Sequence, residues 1–346
     1  MAVGEHPWQD LYPIAGCRVG IASAGIKYLG RNDVALVSVC EGATVAGVFT
    51  QNAFAAAPIQ LCRQHLQETS ARAFVINSGN ANACTGAQGK KAALATCEKV
   101  AALLGIQTAQ VLPFSTGVIG EVLPAEKICA ALPQAVSALS ETAWCDFAKA
   151  IMTTDTRPKG ATQCVEVGGA KIHVSGVAKG SGMINPKMAT MLGFIATDAS
   201  VDATVLQALA KKAADQSFNR VTIDGDTSTN DACMLVATGQ SSVPRIDSPQ
   251  GELYHALESA IISVYQSLAL QIVEDAEGAT KCVEVDVHGG KTAEESLNVA
   301  YAIAHSPLVK TALFASDPNW GRIVAAIGYA DIEALDANGV RVWLDD

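Results

Sequence analysis

The chain has 346 residues, 49% of them hydrophobic and 17% charged, with 34 acidic against 24 basic side chains and a formal net charge of −10. Such an interior-rich chain buries a large core, which excludes a disordered protein, and an acidic balance without a basic stripe speaks against nucleic acid or an anionic membrane as partner. Residues 1–12 lack the basic and apolar parts of a signal peptide, and the most apolar runs, 35–40 and 324–327, fall far short of the roughly 20 residues of a membrane span, so a cytoplasmic protein is expected.

Taken in chain order, runs rich in Val, Ile, Phe and Cys predict strands at 35–40, 44–49 and 72–77. Apolar residues at three-and-four spacing then predict helices at 86–104, 124–139 and 141–152. Strands follow at 171–177 and 192–196, a helix at 202–217, a strand at 232–238 and a long helix at 253–274. The chain ends in a strand at 282–287, a helix at 292–306 and a strand at 340–344. Helices and strands mix without a regular βαβ alternation, which predicts a layered α/β (α+β) arrangement over a doubly wound sheet. The glycines in 160–182 predict a long irregular crossing between two halves.

Ten cysteines are present, none in a C-x-x-C pair and none with a histidine at ligand spacing. Most sit in apolar runs, so buried reduced thiols are expected and no metal site. None of the six histidines falls in a site-like constellation, so a Ser-His-Asp hydrolase has no support.

Five stretches can carry chemistry. The first is Lys179-Gly180-Ser181-Gly182-Met183-Ile184-Asn185-Pro186-Lys187-Met188-Ala189-Thr190. A hydroxyl after a small residue in a glycine-rich segment can attack the preceding carbonyl and cut the chain between Ala189 and Thr190. The freed Thr190 then carries nucleophile and base on one residue, the α-amine having a reference pKa of about 7.7–8.0. On spacing alone, Thr190 reads equally as a strand or turn residue. Second, Ser115-Thr116-Gly117 can aim a backbone N–H and a hydroxyl at one point, as an oxyanion hole requires, or form an ordinary turn. Third, Asp224-Gly225-Asp226-Thr227-Ser228-Thr229-Asn230-Asp231 lacks calcium-loop spacing and reads as a hydrogen-bonded loop rather than a metal site. Fourth, Glu277, after the long helix, can hold a substrate ammonium or be neutralised by Lys281. Fifth, the Asn/Gly-rich stretch 77–86 leads into a helix and reads as a structural turn or as an anion site at the helix N-terminus.

Taken together along the chain, 113–117, 179–199, 224–231 and 277–281 resemble the ornithine acetyltransferase family, the bifunctional glutamate N-acetyltransferases of arginine biosynthesis. The likeness also takes in Met152-Thr153-Thr154-Asp155-Thr156, Ser306-Pro307-Leu308-Val309-Lys310-Thr311 and Ser316-Asp317-Pro318-Asn319-Trp320-Gly321-Arg322, and runs from about residue 10 to the end. It implies an N-terminal-nucleophile fold of the DmpA-like kind, with sheets sandwiched by helices. It implies cleavage into an α chain (1–189) and a β chain (190–346), assembled as α2β2. Thr190 would take the acetyl group of N2-acetyl-L-ornithine and pass it to L-glutamate. Thr116 and Gly117 match the family's oxyanion pair, and Thr153, Lys179, Thr190 and Glu277 its substrate-binding positions. No cofactor or metal is implied; acetyl-CoA is a second acetyl donor in bifunctional members only. Family chains usually continue past Asp346 into a tail whose asparagine and serine or threonine complete the substrate site, so transfer is expected to suffer more than self-cleavage without it. The alternatives are a same-fold N-terminal-nucleophile aminopeptidase or amidohydrolase, with water as acceptor, and a catalytically incomplete remnant.

Overall fold

The computed structural model describes residues 3–4, 6–185, 191–333 and 335–345. Two compact units are present: Glu5–Glu277, and Gly278–Asp346 with Met1–Gly4. The first runs β1 (Cys17–Ala22), β2 (Val34–Val39), β3 (Thr44–Phe49), α1 (Ala57–Glu68), β4 (Ala73–Asn80), α2 (Gly86–Leu104), β5 (Val111–Val118), α3 (Ala125–Ser137), α4 (Trp144–Ala150), β6 (Lys159–Val167), β7 (Ala170–Lys179), β8 (Leu192–Thr197), α5 (Ala203–Asp215), β9 (Ala232–Ala237) and α6 (Glu252–Glu274).

The strands form a four-stranded sheet, ordered β1-β2-β4-β5, and a five-stranded sheet, ordered β3-β9-β8-β7-β6. Each contains one parallel pair, β4–β5 and β8–β9, linked through α2 and α5; the other pairings are antiparallel. Side chains alternate along each strand, so both faces of a sheet receive apolar residues. In β2, Ala35 and Val37 face the core between the sheets, while Val34 and Leu36 face the core under α2 and α3. In β9, Met234 and Val236 face the inter-sheet core, whereas Cys233 and Leu235 meet α5 and α6. The result is four layers, helices–sheet–sheet–helices, as the layered reading expects. Phe74, Phe114, Phe147 and Phe194 meet between the sheets with ring centroids 5.1–6.1 Å apart.

Several local expectations need correction. Residues 159–179 are a hairpin, not an irregular crossing, with the strand expected at 171–177 as its second arm: β6 and β7 pair from Lys159↔Ala178 to Val167↔Ala170. Its turn is Gly168-Gly169, with φ +60° and +81°, the left-handed pair that suits a two-residue hairpin. Gly160 and Gly176 lie within strands, where Trp8 and Ile195 occupy the space of their missing side chains. The turn expected at Ser115-Thr116-Gly117 is the end of β5. Pro113 hides that strand from a propensity reading but is tolerated because β5 is a sheet edge. Strands β1 and β6 and helix α1 also went unpredicted.

Helix α6 has 23 residues and a mean hydropathy of 1.4 over its most apolar window, enough by length and composition to cross a bilayer. No such span was expected from the apolar runs. Tyr254, Leu257, Ile261, Val264, Leu268 and Ile272 give it one buried face in the core against the five-stranded sheet. None of the cysteines is in a disulfide, but only Cys17, Cys62, Cys97 and Cys233 are buried; Cys84 and Cys282 are exposed. Burial pushes the Cys17, Cys97 and Cys233 thiols up to about 12, which keeps them unreactive.

The second unit holds α7 (Ala293–His305), α8 (Pro307–Phe314) and α9 (Trp320–Gly328) around Val299, Ile303, Val309, Ala326 and Ile327. The Ser306-Pro307 motif is a helix start: the Ser306 hydroxyl accepts from the Val309 N–H at 3.3 Å, and Pro307 opens α8. Arg322 donates to the Leu308 carbonyl and the Thr311 hydroxyl at 2.8 and 2.9 Å, tying α9 to α8. The segments 282–287 and 340–344 are not strands. Their alternating valines, Val285, Val287, Val340 and Val342, pack on this small core instead of pairing in a ladder.

Candidate active site

The site of the first unit lies where strand ends of the two sheets meet. Strands β4 and β5 are parallel and finish together, with Ser78 beside Thr116 and Gly79 beside Gly117. Carboxyl ends of parallel strands form a natural crevice because the chain must leave the sheet there. Across the crevice, Lys179 closes β7 opposite Leu192, the first residue of β8. The Lys179 ammonium donates to the Thr116 hydroxyl at 3.3 Å and the Thr153 hydroxyl at 2.8 Å, bridging the two sheets and the segment after α4.

Thr116, Gly117, Thr153, Lys179 and Glu277 all line one cavity of about 420 Å³, with Lys27, Arg31, Asp33, Ser78, Gly79, Met183 and others around them. Five of the residues expected at a site, drawn from four separate stretches of sequence, are therefore brought together. Glu277 is held by its N–H on the Ser181 carbonyl at 2.8 Å, and its carboxylate lies over Gly182. Ala189 and Thr190 lie outside the described residues.

The chain on either side of 186–190 is held by one loop. Asp224 accepts from the N–H groups of Met183 and, at 3.0 Å, Ile184, and Asn185 donates to the Gly225 carbonyl. At the far end Asp231 accepts from the Met191 N–H at 3.1 Å, and Met191 returns its carbonyl to the Ala232 N–H at 3.2 Å. The stretch weighed against a metal loop thus spends two of its three carboxylates on backbone donors flanking Ala189-Thr190. Burial pushes the Asp231 carboxyl well above the usual range, outweighing the Met191 N–H, the Thr50 and Ser228 hydroxyls and the Lys179 charge that oppose it. Its Oδ2 has no hydrogen-bond partner among the described residues.

Beneath the cavity lies a buried charge cluster that sequence reasoning missed. The Lys159 ammonium, fully buried, stands 2.6 Å from both Asp155 and Asp275. Asp155 also accepts from the Thr153 N–H at 3.0 Å and the Gly180 N–H at 2.7 Å, and stands 4.0 Å from the Lys179 ammonium. It therefore orients Thr153 at the cavity and the backbone just after Lys179, and balances the Lys179 charge. Burial lowers the Lys179 pKa, an effect that Asp155, Asp231 and Glu277 oppose. The only sequence signal was the Asp155…Lys159 spacing, which reads as a solvated helical pair and is instead a strand-entry contact; Asp275 is 116 residues away.

Asp155 makes stability depend on acid. Burial alone would raise its pKa, but the Lys179 and Lys159 charges more than offset this and hold it at about 2, against an ordinary 3.8. A carboxylate with a depressed folded-state pKa stabilises above its unfolded value, and that contribution is lost as pH falls toward the folded one. The expected result is a loss of about 2 kcal/mol of unfolding free energy between about pH 4 and pH 2. Denaturant titrations across that window check it, with the slope reduced in Asp155→Asn; equal slopes in both proteins would contradict it.

The ArgJ family model matches residues 18–346. The arginine biosynthesis bifunctional protein ArgJ of Pseudomonas fluorescens (strain Pf0-1) is 54% identical over 346 residues, covering 100% of this chain and 85% of the relative. That of Pseudomonas syringae pv. tomato (strain DC3000) is 55% identical over 344 residues, covering 99% and 85%. The solved structure of ornithine acetyltransferase complexed with ornithine from Mycobacterium tuberculosis is 35% identical over 51% of this chain and 95% of its own, with a TM-score of 0.45. On the family match and the identity over its full length, the chain belongs to the ArgJ family.

Proposed function

We propose that this chain cuts itself between Ala189 and Thr190 and then moves an acetyl group from N2-acetyl-L-ornithine to L-glutamate through an acetyl-Thr190 ester, as an enzyme of arginine biosynthesis. The observation that carries the reading is the convergence of Thr116, Gly117, Thr153, Lys179 and Glu277 on one cavity. Leu192, two residues beyond Thr190, pairs with Lys179 at its edge. The cut would leave β7 on one chain and β8 on the other, and their ladder from Lys179↔Leu192 to Val174↔Thr197 would hold the two together.

The Thr190 hydroxyl attacks the acetyl carbonyl, and its proton passes to the Thr190 α-amine. Charge develops on the carbonyl oxygen, for which the Gly117 N–H and the Thr116 hydroxyl are the donors. Lys179 can only donate to Thr116, so that hydroxyl keeps its own proton for the oxyanion. The C–N bond breaks, the α-amine returns the proton to the leaving nitrogen, and ornithine departs. The glutamate amine then attacks the ester by the same route in reverse. Lys179 supplies a cation for the substrate carboxylate and Glu277 an anion for the ornithine ammonium. No bound cofactor enters these steps; acetyl-CoA, where used, would load the same threonine.

The test is Thr190→Ala. The expected product is a single uncut chain without transfer, beside a wild type that yields two fragments meeting at Ala189/Thr190 and acetylates glutamate. Wild-type protein that remains uncut, or that hydrolyses N-acetylornithine at the same rate with and without glutamate, would overturn the reading.

A further inference from the structure

We infer that Lys27 and Arg31 form an anion subsite at the same cavity, which receives the side-chain carboxylate of the acceptor amino acid. This rests on the transfer reaction proposed above. The chain carries more acid than base, 34 against 24, yet three of the five charged residues lining the cavity are cations: Lys27, Arg31 and Lys179. Lys179 is committed to Thr116 and Thr153, with Asp155 behind it. Of the two anions, Asp33 is buried and accepts from the Ala24 and Ile26 N–H groups, both at 2.6 Å. Those bonds fix the loop that carries Lys27 and Arg31. The backbone of Gly79 lies against Lys27, whose Cβ would be 3.1 Å from any side chain built there. Arg31 is held by donation to the Met152 carbonyl, and its remaining N–H groups have no acceptor among the described residues. The Lys27 ammonium sits 5.4 Å over the Tyr28 ring and has no carboxylate partner among the described residues.

The chemistry of the two substrates requires such a pair. Donor and acceptor react at the same α-nitrogen beside the same α-carboxylate, so their shared ends use the same contacts. Their far ends carry opposite charges, an ammonium on ornithine and a carboxylate on glutamate. Glu277 serves the first and repels the second. A cavity that binds both in turn needs a cation for the second, and Lys27 and Arg31 are the lining cations without that commitment.

The test compares L-glutamate with L-glutamine, its neutral isostere, as acceptor. In Lys27→Met the ratio of kcat/KM for glutamate over glutamine is expected to fall about tenfold or more, the loss of one charge-assisted hydrogen bond. Lys27→Arg keeps the charge and is expected to keep most of the ratio; Arg31→Met lowers it in the same direction. Lys27 is exposed, so its variants fold. A wild type that forms the acetyl-enzyme while Lys27→Met retains the wild-type ratio overturns the subsite alone. A wild type that forms no acetyl-enzyme from N-acetylornithine overturns the transfer reading and this subsite with it.

Discussion

Gly117→Ala is expected to abolish transfer and to impair cutting at Ala189/Thr190, with a loss of roughly a hundredfold or more in kcat. The reason is backbone contact. A Cβ at Gly117 would lie 2.3 Å from the Gly79 carbonyl carbon and 2.5 Å from the Asn80 nitrogen, and φ there is +136°. Neither atom belongs to a side chain that can turn away, so β4 and β5 must separate at the end where Ser78 pairs with Thr116. That separation carries the Gly117 N–H and the Thr116 hydroxyl off any common target. The strain also costs stability, on the order of 1–3 kcal/mol. Intact mass and acetyl transfer, measured with the denaturation midpoint, check the prediction. A variant that cuts and transfers at wild-type rates would remove Gly117 from the oxyanion site.

The largest expected loss of stability is for Lys159→Met. The methionine matches the length of the lysine stem but leaves Asp155 and Asp275 buried without their shared cation. Removing one partner of a buried ionic group costs about 3–5 kcal/mol, because the remaining charge has no solvent to return to. Asp275 also accepts from the Thr156 N–H at 3.0 Å and caps α6 two residues before Glu277. Asp155 positions Thr153 and Gly180. The damage therefore reaches both ends of the cavity, and KM for both substrates rises with the loss of stability. The double variant Lys159→Met with Asp275→Asn removes one of the stranded charges and is expected to recover part of the midpoint in urea. A single variant within about 0.5 kcal/mol of wild type, the range of ordinary surface substitutions, would show that the cluster is not a buried ionic centre.

The fold was legible where one chemical property repeats locally. Helices α2, α5 and α6 follow from apolar spacing, β2, β8 and β9 from apolar runs that bury both faces, and β3 from a similar run half-buried at a sheet edge. Legibility failed where a residue's meaning depends on its neighbours in space. Pro113 reads as a turn unless β5 is known to be an edge. Gly160 reads as a breaker unless Trp8 is known to fill its place. The valines of 282–287 have strand spacing, but the helices α7, α8 and α9 cover them, and strand spacing without a pairing strand makes no ladder.

The same division holds for the site. Thr116-Gly117, Lys179, Thr190 and Glu277 lie in stretches that sequence alone leaves open between chemistry and ordinary turns, and Thr153 enters only through the family resemblance. Asp155, Lys159 and Asp275 did not stand out, because a buried charge is defined by what surrounds it, and two of these partners lie 116 residues apart. Lys27 and Arg31 were invisible for a related reason: a basic residue in an exposed loop reads as solvated surface until the loop is seen to border the cavity. Helix and strand periodicity thus gives the layered class, and the motifs carry the resemblance to the family, from the chain alone, since both rest on local covalent order. Which charges share the cavity, which are paired beneath it and which remain for substrate is decided only when the two sheets meet, because electrostatic interaction depends on distance in space and burial rather than on separation along the chain.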